Sequence, residues 1–346
     1  MKNGVFTKEH TQIAKGFALI LMLFDHLFWM DYGNYISIFP KLPDGHSLEW
    51  AIGSIGNICV AMFLFLSGYG MFFAASKKER YSIKDSLKRV KKIWLDFAAI
   101  TVVLILIDLA CGKIVFDPIR IVLNILALDY TYNKFAWFML VYIVIIMVLP
   151  LFVRLFKKIK WWNKLLIIAG IKVAITAINW MISQNFDIPE VLYKALIEPF
   201  MLISIFLIGY FVAQHKVYEK IHNVIKRILW PQLFCAVLLV LALIIMYFYQ
   251  YTILDHITAP VLCFLFSYSV NCSIVRKTMA YIGGKSMYIW LIHYPIMVIL
   301  LNKVIYSVKY SVLIILWLLF LTILLSEFYL QVKKIIKRGT ENERID

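Results

Sequence analysis

Two basic side chains, Lys15 and His26, interrupt an otherwise apolar stretch near the start of the chain, IAKGFALILMLFDHLFWM at residues 13–30. Eleven positions separate them. At about 100° per residue this is close to three helical turns, so both side chains project from one face, about 16 Å apart along the axis. An ionisable group inside an apolar helix is costly and usually faces a bundle interior or a water-filled cavity. Because an imidazole can act as a general base near neutral pH, His26 is the first candidate for chemistry.

Asp25 adjoins His26 in the sequence and is a second candidate. Neighbouring residues of an α-helix point about 100° apart, so we expect Asp25 not to contact the imidazole ring. It would orient the acceptor or a neighbouring helix, or serve the structure alone. Simpler explanations exist for the two basic residues as well. Lys15 could be a snorkelling residue at the membrane boundary, and His26 could make an ordinary interhelical hydrogen bond.

The composition identifies a membrane protein. Of its 346 residues, 62% are hydrophobic, and the mean hydropathy is +0.81. The net charge of +16 comes from basic residues clustered between apolar runs, which indicates membrane topology and anionic headgroups rather than nucleic acid. The five cysteines show no metal-ligand spacing and are interpreted as small packing residues. We expect no metal, no cleaved signal peptide and no separate soluble domain.

Ten apolar stretches are long enough to cross a bilayer. They are Ile13–Met30, Ile52–Ala75, Ile93–Cys111, Phe135–Val153, Leu165–Ile182, Ala195–Ala213, Leu229–Tyr249, Ile257–Val275, Met287–Ile305 and Val312–Leu330. The connections rich in Lys and Arg follow every second stretch, which predicts that both termini are cytoplasmic. The expected fold is therefore an all-α, polytopic membrane helix bundle of about ten transmembrane helices. It forms one domain over residues 1–346, with a short basic cytoplasmic tail at 331–346. A shorter apolar run, Ile119–Leu128, is expected to be interfacial or re-entrant.

The spacing of Lys15 and His26 also resembles the signature of acyltransferase family 3. That signature is a basic residue, ten intervening residues and a histidine on the first helix. The family's usual basic residue is arginine, so Lys15 keeps the charge and loses the planar guanidinium group. Four later stretches are similar to segments of the same family, in the same order: FLFLSGYGM at 63–71, SLKRVKKIWLDF at 86–97, WFMLVYIVIIMVLP at 137–150 and GKSMYIWLIHYPI at 284–296.

The resemblance implies transfer of an acetyl group from cytoplasmic acetyl-CoA to a hydroxyl of a glycan. His26 would be the general base or a transient acyl carrier, with Asp25 and Lys15 beside it in the catalytic group. Donor phosphates would be bound by basic residues at the cytoplasmic side, although positive-inside charge also explains most of them. The predicted donor-binding residues are Arg89, Lys92 and Arg80.

The acceptor would be bound by residues of the middle and late helices: Trp137, His293 and Glu198. Each has a structural alternative. Trp137 could belong to an interfacial aromatic belt, and His293 could bond a carbonyl freed by Pro295. The sequence does not decide whether Glu198 faces a cleft.

Two functions follow from these residues. The first is a membrane O-acetyltransferase that modifies a cell-surface polysaccharide or a lipid-linked glycan, in the cytoplasmic membrane of a bacterium. The second is a transporter or flippase for a glycan intermediate, in which the histidines and aspartates couple proton movement. The expected partners are acetyl-CoA, the glycan acceptor and the lipid bilayer, with no nucleic acid. The sequence also leaves open whether the protein forms a homo-oligomer.

Overall fold

Helices make up the regular structure of the residues described, 5–30, 32–249 and 254–342, in a computed structural model of the protein. Within those ranges the only strand-like pairing is an isolated bridge between Ile36 and Tyr310. The prediction of an all-α helix bundle is confirmed. The helices are α1 (Lys8–Phe24), α2 (Leu48–Ser54), α3 (Ile58–Ser76), α4 (Ile83–Ala110), α5 (Pro118–Ile125), α6 (Trp137–Lys158), α7 (Trp161–Asn185), α8 (Glu190–Leu196), α9 (Glu198–Gln214), α10 (Val217–Ile225), α11 (Pro231–Phe248), α12 (Asp255–Ser269), α13 (Ser273–Gly284), α14 (Ser286–Tyr294), α15 (Asn302–Tyr306) and α16 (Ser311–Asn342).

Each of the ten predicted spans overlaps one or more of these helices. In the described part of the chain, eight helical segments are long and apolar enough to cross a membrane: Lys8–Trp29, Ile58–Ser76, Ile83–Ala110, Lys134–Lys158, Trp161–Asn185, Leu192–Gln214, Pro231–Phe248 and Ser311–Arg338. The other two predicted spans correspond to shorter helices, α12 with 15 residues and the apolar segment Ser286–Leu300. The full count of ten and the cytoplasmic termini remain predictions.

Two segments outside the spans are also helical. The apolar run predicted to be too short to cross overlaps α5, which has eight residues. The predicted tail continues α16 without a break to Asn342, and residues 343–346 lie outside the described part of the chain.

Side-chain contacts identify which helix ends lie together. At one end, the Tyr69 hydroxyl near the end of α3 donates to the Phe6 carbonyl oxygen at 3.4 Å, just before α1 begins. The Ser267 hydroxyl, at the end of α12, donates to the His10 carbonyl oxygen at 3.1 Å. The predicted topology puts the start of the chain and the ends of these two spans at the cytoplasmic face, and we call this end of the bundle the N-terminal end.

The opposite end is tied together in the same way. The Tyr306 hydroxyl donates to the Leu27 carbonyl oxygen at 3.1 Å, and the Asn302 side-chain amide donates to the Tyr32 carbonyl oxygen at 3.0 Å. Helix α1 therefore runs from the N-terminal end to the opposite end, and α3 runs back beside it.

Glycines allow the central helices to approach closely. A Cβ atom at Gly68 would lie 1.8 Å from the Phe206 carbonyl oxygen, so α3 and α9 are in backbone contact there. A Cβ atom at Gly16 would lie 2.3 Å from the Met279 carbonyl oxygen, which gives the same result for α1 and α13. Small residues at such crossings are typical of helix packing in membranes, where van der Waals contact replaces hydrophobic burial.

Candidate functional site

A cavity of about 590 Å³ lies between α1, α3, α4, α6 and α14. It contains most of the residues singled out in the sequence. Its lining includes Lys8, Thr11, Lys15, Asp25, His26, Met30, Cys59, Phe63, Ser67, Gly70, Arg89, Phe135, Trp137, Tyr142 and Trp290. The prediction that Lys15 and His26 share one face of the first helix agrees with this arrangement.

The cavity follows α1 from end to end. Its lining reaches from Lys8, the first residue of α1, to Met30, just beyond the helical segment. At 1.5 Å per residue this corresponds to about 33 Å, close to the thickness of a hydrocarbon core. The cavity therefore extends over a length close to that of the membrane interior.

Two histidines meet at the wall of the cavity that His26 lines. Nδ1 of His26 lies 2.8 Å from Nε2 of His293, and the two rings are nearly parallel at 10° with centroids 4.9 Å apart. Both histidines are buried, His293 completely and His26 at 6% exposure. His293 is not part of the cavity lining and lies behind His26.

The hydrogen bonds of this pair define its proton arrangement. Nδ1 of His293 is 2.6 Å from the Trp290 carbonyl oxygen, which can only accept. A neutral His293 therefore carries its proton on Nδ1 and presents Nε2 as an acceptor. His26 must then donate from Nδ1, which leaves the lone pair of its own Nε2 available. A nitrogen in that state can take a proton from a bound hydroxyl group.

Asp25 lies beside that nitrogen, which corrects the sequence expectation that it would not contact the ring. Oδ2 of Asp25 is 3.5 Å from Nε2 of His26. The expectation assumed regular α-helical geometry, but residues Asp25–Trp29 form a π-helical turn. Hydrogen bonds from i to i+5 reduce the rotation per residue, so neighbouring side chains diverge less. A carboxylate in this position can stabilise the positive charge of a protonated His26.

An aromatic ring that the sequence analysis did not identify covers His26. Phe135 stacks on the imidazole with centroids 3.5 Å apart and planes at 9°. It belongs to a short 3₁₀ turn, Lys134–Ala136, that is capped by Asn133. The Asn133 side-chain amide also donates to the Leu291 carbonyl oxygen at 2.9 Å, two residues before His293. Asn133 thus joins the turn that carries Phe135 to the helix that carries His293. In the sequence, the signal available for this turn was Asn133, which comes just before the Trp-Phe stretch.

Two cations face the cavity closer to the N-terminal end. Lys15 and Arg89 both line it, and within the described ranges neither forms an ion pair with a carboxylate. The Arg89 Nε donates to the Tyr142 hydroxyl at 3.3 Å. Two cations with no acidic partner suit a ligand with several negative charges, such as a diphosphate.

The other two predicted donor-binding residues are placed differently. Arg80 and Lys92 are exposed and do not belong to the lining of this cavity. Of the three predicted donor-binding residues, only Arg89 lines the cavity.

Trp137 and Glu198 are brought together by a residue that was not predicted. The Lys194 ammonium lies 4.6 Å from the Trp137 ring centroid and 3.7 Å from Oε2 of Glu198. Trp137 lines the cavity and Glu198 does not. Lys194 therefore contacts both Trp137 and Glu198, two of the residues predicted to bind the glycan acceptor.

No group of three or more potential metal ligands occurs in the residues that the structure covers. A family model described as an acyltransferase domain matches residues 12–328 of the chain. No curated protein and no solved structure matches it.

Proposed function

This chain belongs to acyltransferase family 3, and we propose that it transfers an acetyl group from acetyl-CoA to a hydroxyl group of a cell-surface or lipid-linked polysaccharide. It is a multi-pass membrane acyltransferase. The donor, the acceptor, the general base and a location in the bacterial cytoplasmic membrane constitute the proposal. The observation that carries it is that His26, whose Nδ1 is hydrogen-bonded to His293, lies in the same cavity as the cations Lys15 and Arg89.

The separation of these groups fits the proposed donor. Lys15 and His26 lie about 16 Å apart along α1. The arm of coenzyme A between its diphosphate and its sulfur is about as long as four residues of extended chain, or roughly 14 Å. A diphosphate held by Lys15 and Arg89 therefore places the thioester beside His26.

The residues around His26 then support direct transfer. Nε2 of His26 takes the proton of the acceptor hydroxyl while its oxygen attacks the thioester carbonyl carbon. The carbon–sulfur bond breaks, and the leaving sulfur takes the proton from the imidazolium. Asp25 stabilises the imidazolium between the two steps, and His293 and Phe135 hold the ring in place. General-base catalysis by a positioned side chain contributes about 10²- to 10⁴-fold.

The length of the cavity supports approach from two sides. The donor would come from the N-terminal end, where the cations lie, and the acceptor from the opposite end near Met30. The bilayer would surround the bundle.

The test uses purified protein and membranes that carry the native glycan. We expect saturable binding of acetyl-CoA, release of its free thiol with those membranes, and loss of thiol release in His26→Ala. The matched control is His222→Ala, a histidine of α10 that does not line the cavity. If folded protein neither binds nor consumes acetyl-CoA, the glycan transporter becomes the better explanation. Full activity in His26→Ala would remove that residue as the base.

A further inference from the structure

The wall of the cavity at Gly70 is open. A Cβ atom built on Gly70 meets no atom within 4 Å, although Gly70 belongs to α3 and lines the cavity. Two residues earlier, a Cβ atom at Gly68 would collide with α9. Helix packing therefore requires glycine at position 68 and not at position 70. The space next to Gly70 belongs to the cavity and is available to a ligand.

Ser67 lies one turn from Gly70 on the same face of α3 and also lines the cavity. Several other helical serines bond back to a carbonyl of the preceding turn, as Ser76 does to Phe72 and Ser267 does to Cys263. Ser67 has no such bond in the described residues, so its hydroxyl is available to a ligand.

The position of this face along the bundle follows from the contacts of α1 and α3. Tyr69 bonds the Phe6 carbonyl, and a Cβ atom at Gly56 would lie 2.7 Å from Cβ of Asp25. Gly70 is therefore level with the beginning of α1, and the residues just before α3 are level with Asp25. Across the cavity at that end stand Lys8 and Thr11. We call the space bounded by Lys8, Thr11, Ser67 and Gly70 the Gly70 bay.

The Gly70 bay lies farther from His26 than Lys15 does. Under the proposed function, the diphosphate of the donor lies at Lys15 and its arm reaches His26. Only the nucleotide part of the donor then still needs a binding position. That part is bulky, carries hydroxyl and phosphate groups, and must lie on the N-terminal side of Lys15. The bay offers open space at Gly70, a hydroxyl at Ser67 and the exposed ammonium group of Lys8.

We propose that the Gly70 bay binds the nucleotide of the acyl donor, so that the enzyme selects free coenzyme A thioesters over acyl groups carried on a phosphopantetheine arm alone. This inference rests on the proposed function. Under this proposal Gly70 determines donor specificity, because its lack of a side chain leaves space for the nucleotide.

The experiment measures the Kd of two probes, acetyl-CoA and acetyl-phosphopantetheine, which lacks the nucleotide. The variant is Gly70→Leu, and the matched control is Gly170→Leu. A Cβ atom at Gly170 on α7 also meets nothing within 4 Å, and Gly170 lies outside the cavity. We expect Gly70→Leu to raise the Kd of acetyl-CoA by about tenfold or more, because filling a binding space with a few methylene-sized groups has effects of that order. The Kd of acetyl-phosphopantetheine should stay within about twofold.

An equal loss of both probes in folded Gly70→Leu protein would place position 70 on the arm and overturn the inference, as would unchanged binding of both. If the wild-type protein does not bind acetyl-CoA, the proposed function itself fails. A milder variant, Ser67→Ala, should weaken acetyl-CoA alone by a few-fold, equivalent to one lost hydrogen bond. Thermal stability equal to that of Gly170→Leu shows that the bay variant is folded.

Discussion

Nδ1 of His26 lies 2.8 Å from Nε2 of His293, although 267 positions of sequence separate the two residues. Each histidine lies at an irregular point of its helix. His26 is part of the π turn Asp25–Trp29, and His293 comes two residues before the π segment Pro295–Leu300. Such π segments inside helices often mark functional sites. Here the two irregularities coincide with the point at which the rings meet and a lone pair faces the cavity.

The first prediction concerns the acceptor atom that His293 supplies. His293→Phe keeps a planar ring and removes that atom, so His26 loses its fixed tautomer. We expect acyl transfer to fall by at least about tenfold, a part of the advantage that a positioned general base provides. His293→Gln retains an oxygen that can accept from Nδ1 of His26, and it should keep more activity. Thiol release from acetyl-CoA measures both variants. Equal activity of the Phe variant and the wild type would contradict the role of the pair.

The second prediction concerns the charge next to His26. Asp25→Asn preserves the size of the side chain and removes the carboxylate 3.5 Å from Nε2. Turnover should fall by about tenfold or more, because a charge-assisted contact of the imidazolium is lost. Donor affinity should hardly change, since Lys15 is about 16 Å away along α1. The control is Asp108→Asn, which removes another buried carboxylate outside the cavity. A loss of donor affinity equal to the loss of turnover would contradict this assignment.

The third prediction separates the cavity cations from the surface cations. Lys15→Ala and Arg89→Ala should each weaken acetyl-CoA binding by about ten- to hundredfold, the size of one charge-assisted hydrogen bond. Lys15→Arg should retain binding, because arginine keeps the charge and adds a bidentate donor. Lys92→Ala on the same helix as Arg89 is the comparison, and we expect a change within about twofold. A large loss in Lys92→Ala would instead support the donor role predicted for it from sequence.

The sequence was sufficient for the helices and for the shared face of Lys15 and His26, because both depend on local patterns. Apolar length predicts a span, and helical periodicity puts Lys15 and His26 on one face. The contact between Asp25 and His26 could not be predicted in this way, because it depends on a π turn that the residue pattern does not announce. The expectation for that pair was accordingly wrong.

Contacts between residues far apart in the chain also could not be predicted from the sequence. Phe135 stacks on a histidine more than one hundred positions away, and Lys194 links Trp137 to Glu198 across two helices. Neither the Phe135–His26 contact nor the Lys194–Trp137 contact has a periodic signal, whereas Lys194 and Glu198 have the i,i+4 spacing of a helix. The basic stretch before the third span shows the same limit, since composition could not distinguish the inward Arg89 from the exposed Arg80 and Lys92.

The fourth prediction tests the packing of α3 on α9. Gly68→Ala places a methyl group 1.8 Å from the Phe206 carbonyl oxygen, so the two helices must separate. We expect a loss of about 1–3 kcal/mol, typical of an overpacked site. Gly70→Ala on the same helix meets no atom, and alanine favours the helix over glycine by about 1 kcal/mol. The thermal midpoint in detergent should therefore fall for Gly68→Ala and hold or rise for Gly70→Ala. The reverse order would contradict the backbone contact.

The last prediction concerns Glu49, a buried carboxylate of α2 outside the spans, with an exposure of 1%. Its Oε2 accepts a 2.7 Å hydrogen bond from the Ser37 hydroxyl, and its Oε1 accepts one from the Ser311 hydroxyl. Burial alone would raise the pKa of Glu49, but the hydrogen bonds from Ser311, Ser37 and the backbone together outweigh it. The pKa of Glu49 is therefore lowered from its ordinary value of 4.5.

A pKa that is lower in the folded protein than in the unfolded chain stabilises the fold above the ordinary value, and this contribution is lost as the pH falls through the lowered value. Glu49→Gln cannot ionise, so both serines lose their charged acceptor, and one of them faces an amide nitrogen that cannot accept its hydrogen bond. We expect it to reduce stability at pH 7 by about 1–3 kcal/mol. Its thermal midpoint should also fall less steeply than that of the wild type when the pH drops below about 4.5. The exposed Glu79→Gln variant is the control and should follow the wild type at every pH. If the thermal midpoints of the wild type and Glu49→Gln change in parallel with pH, the charge of Glu49 does not hold the loop that carries Ser37 to the start of α16.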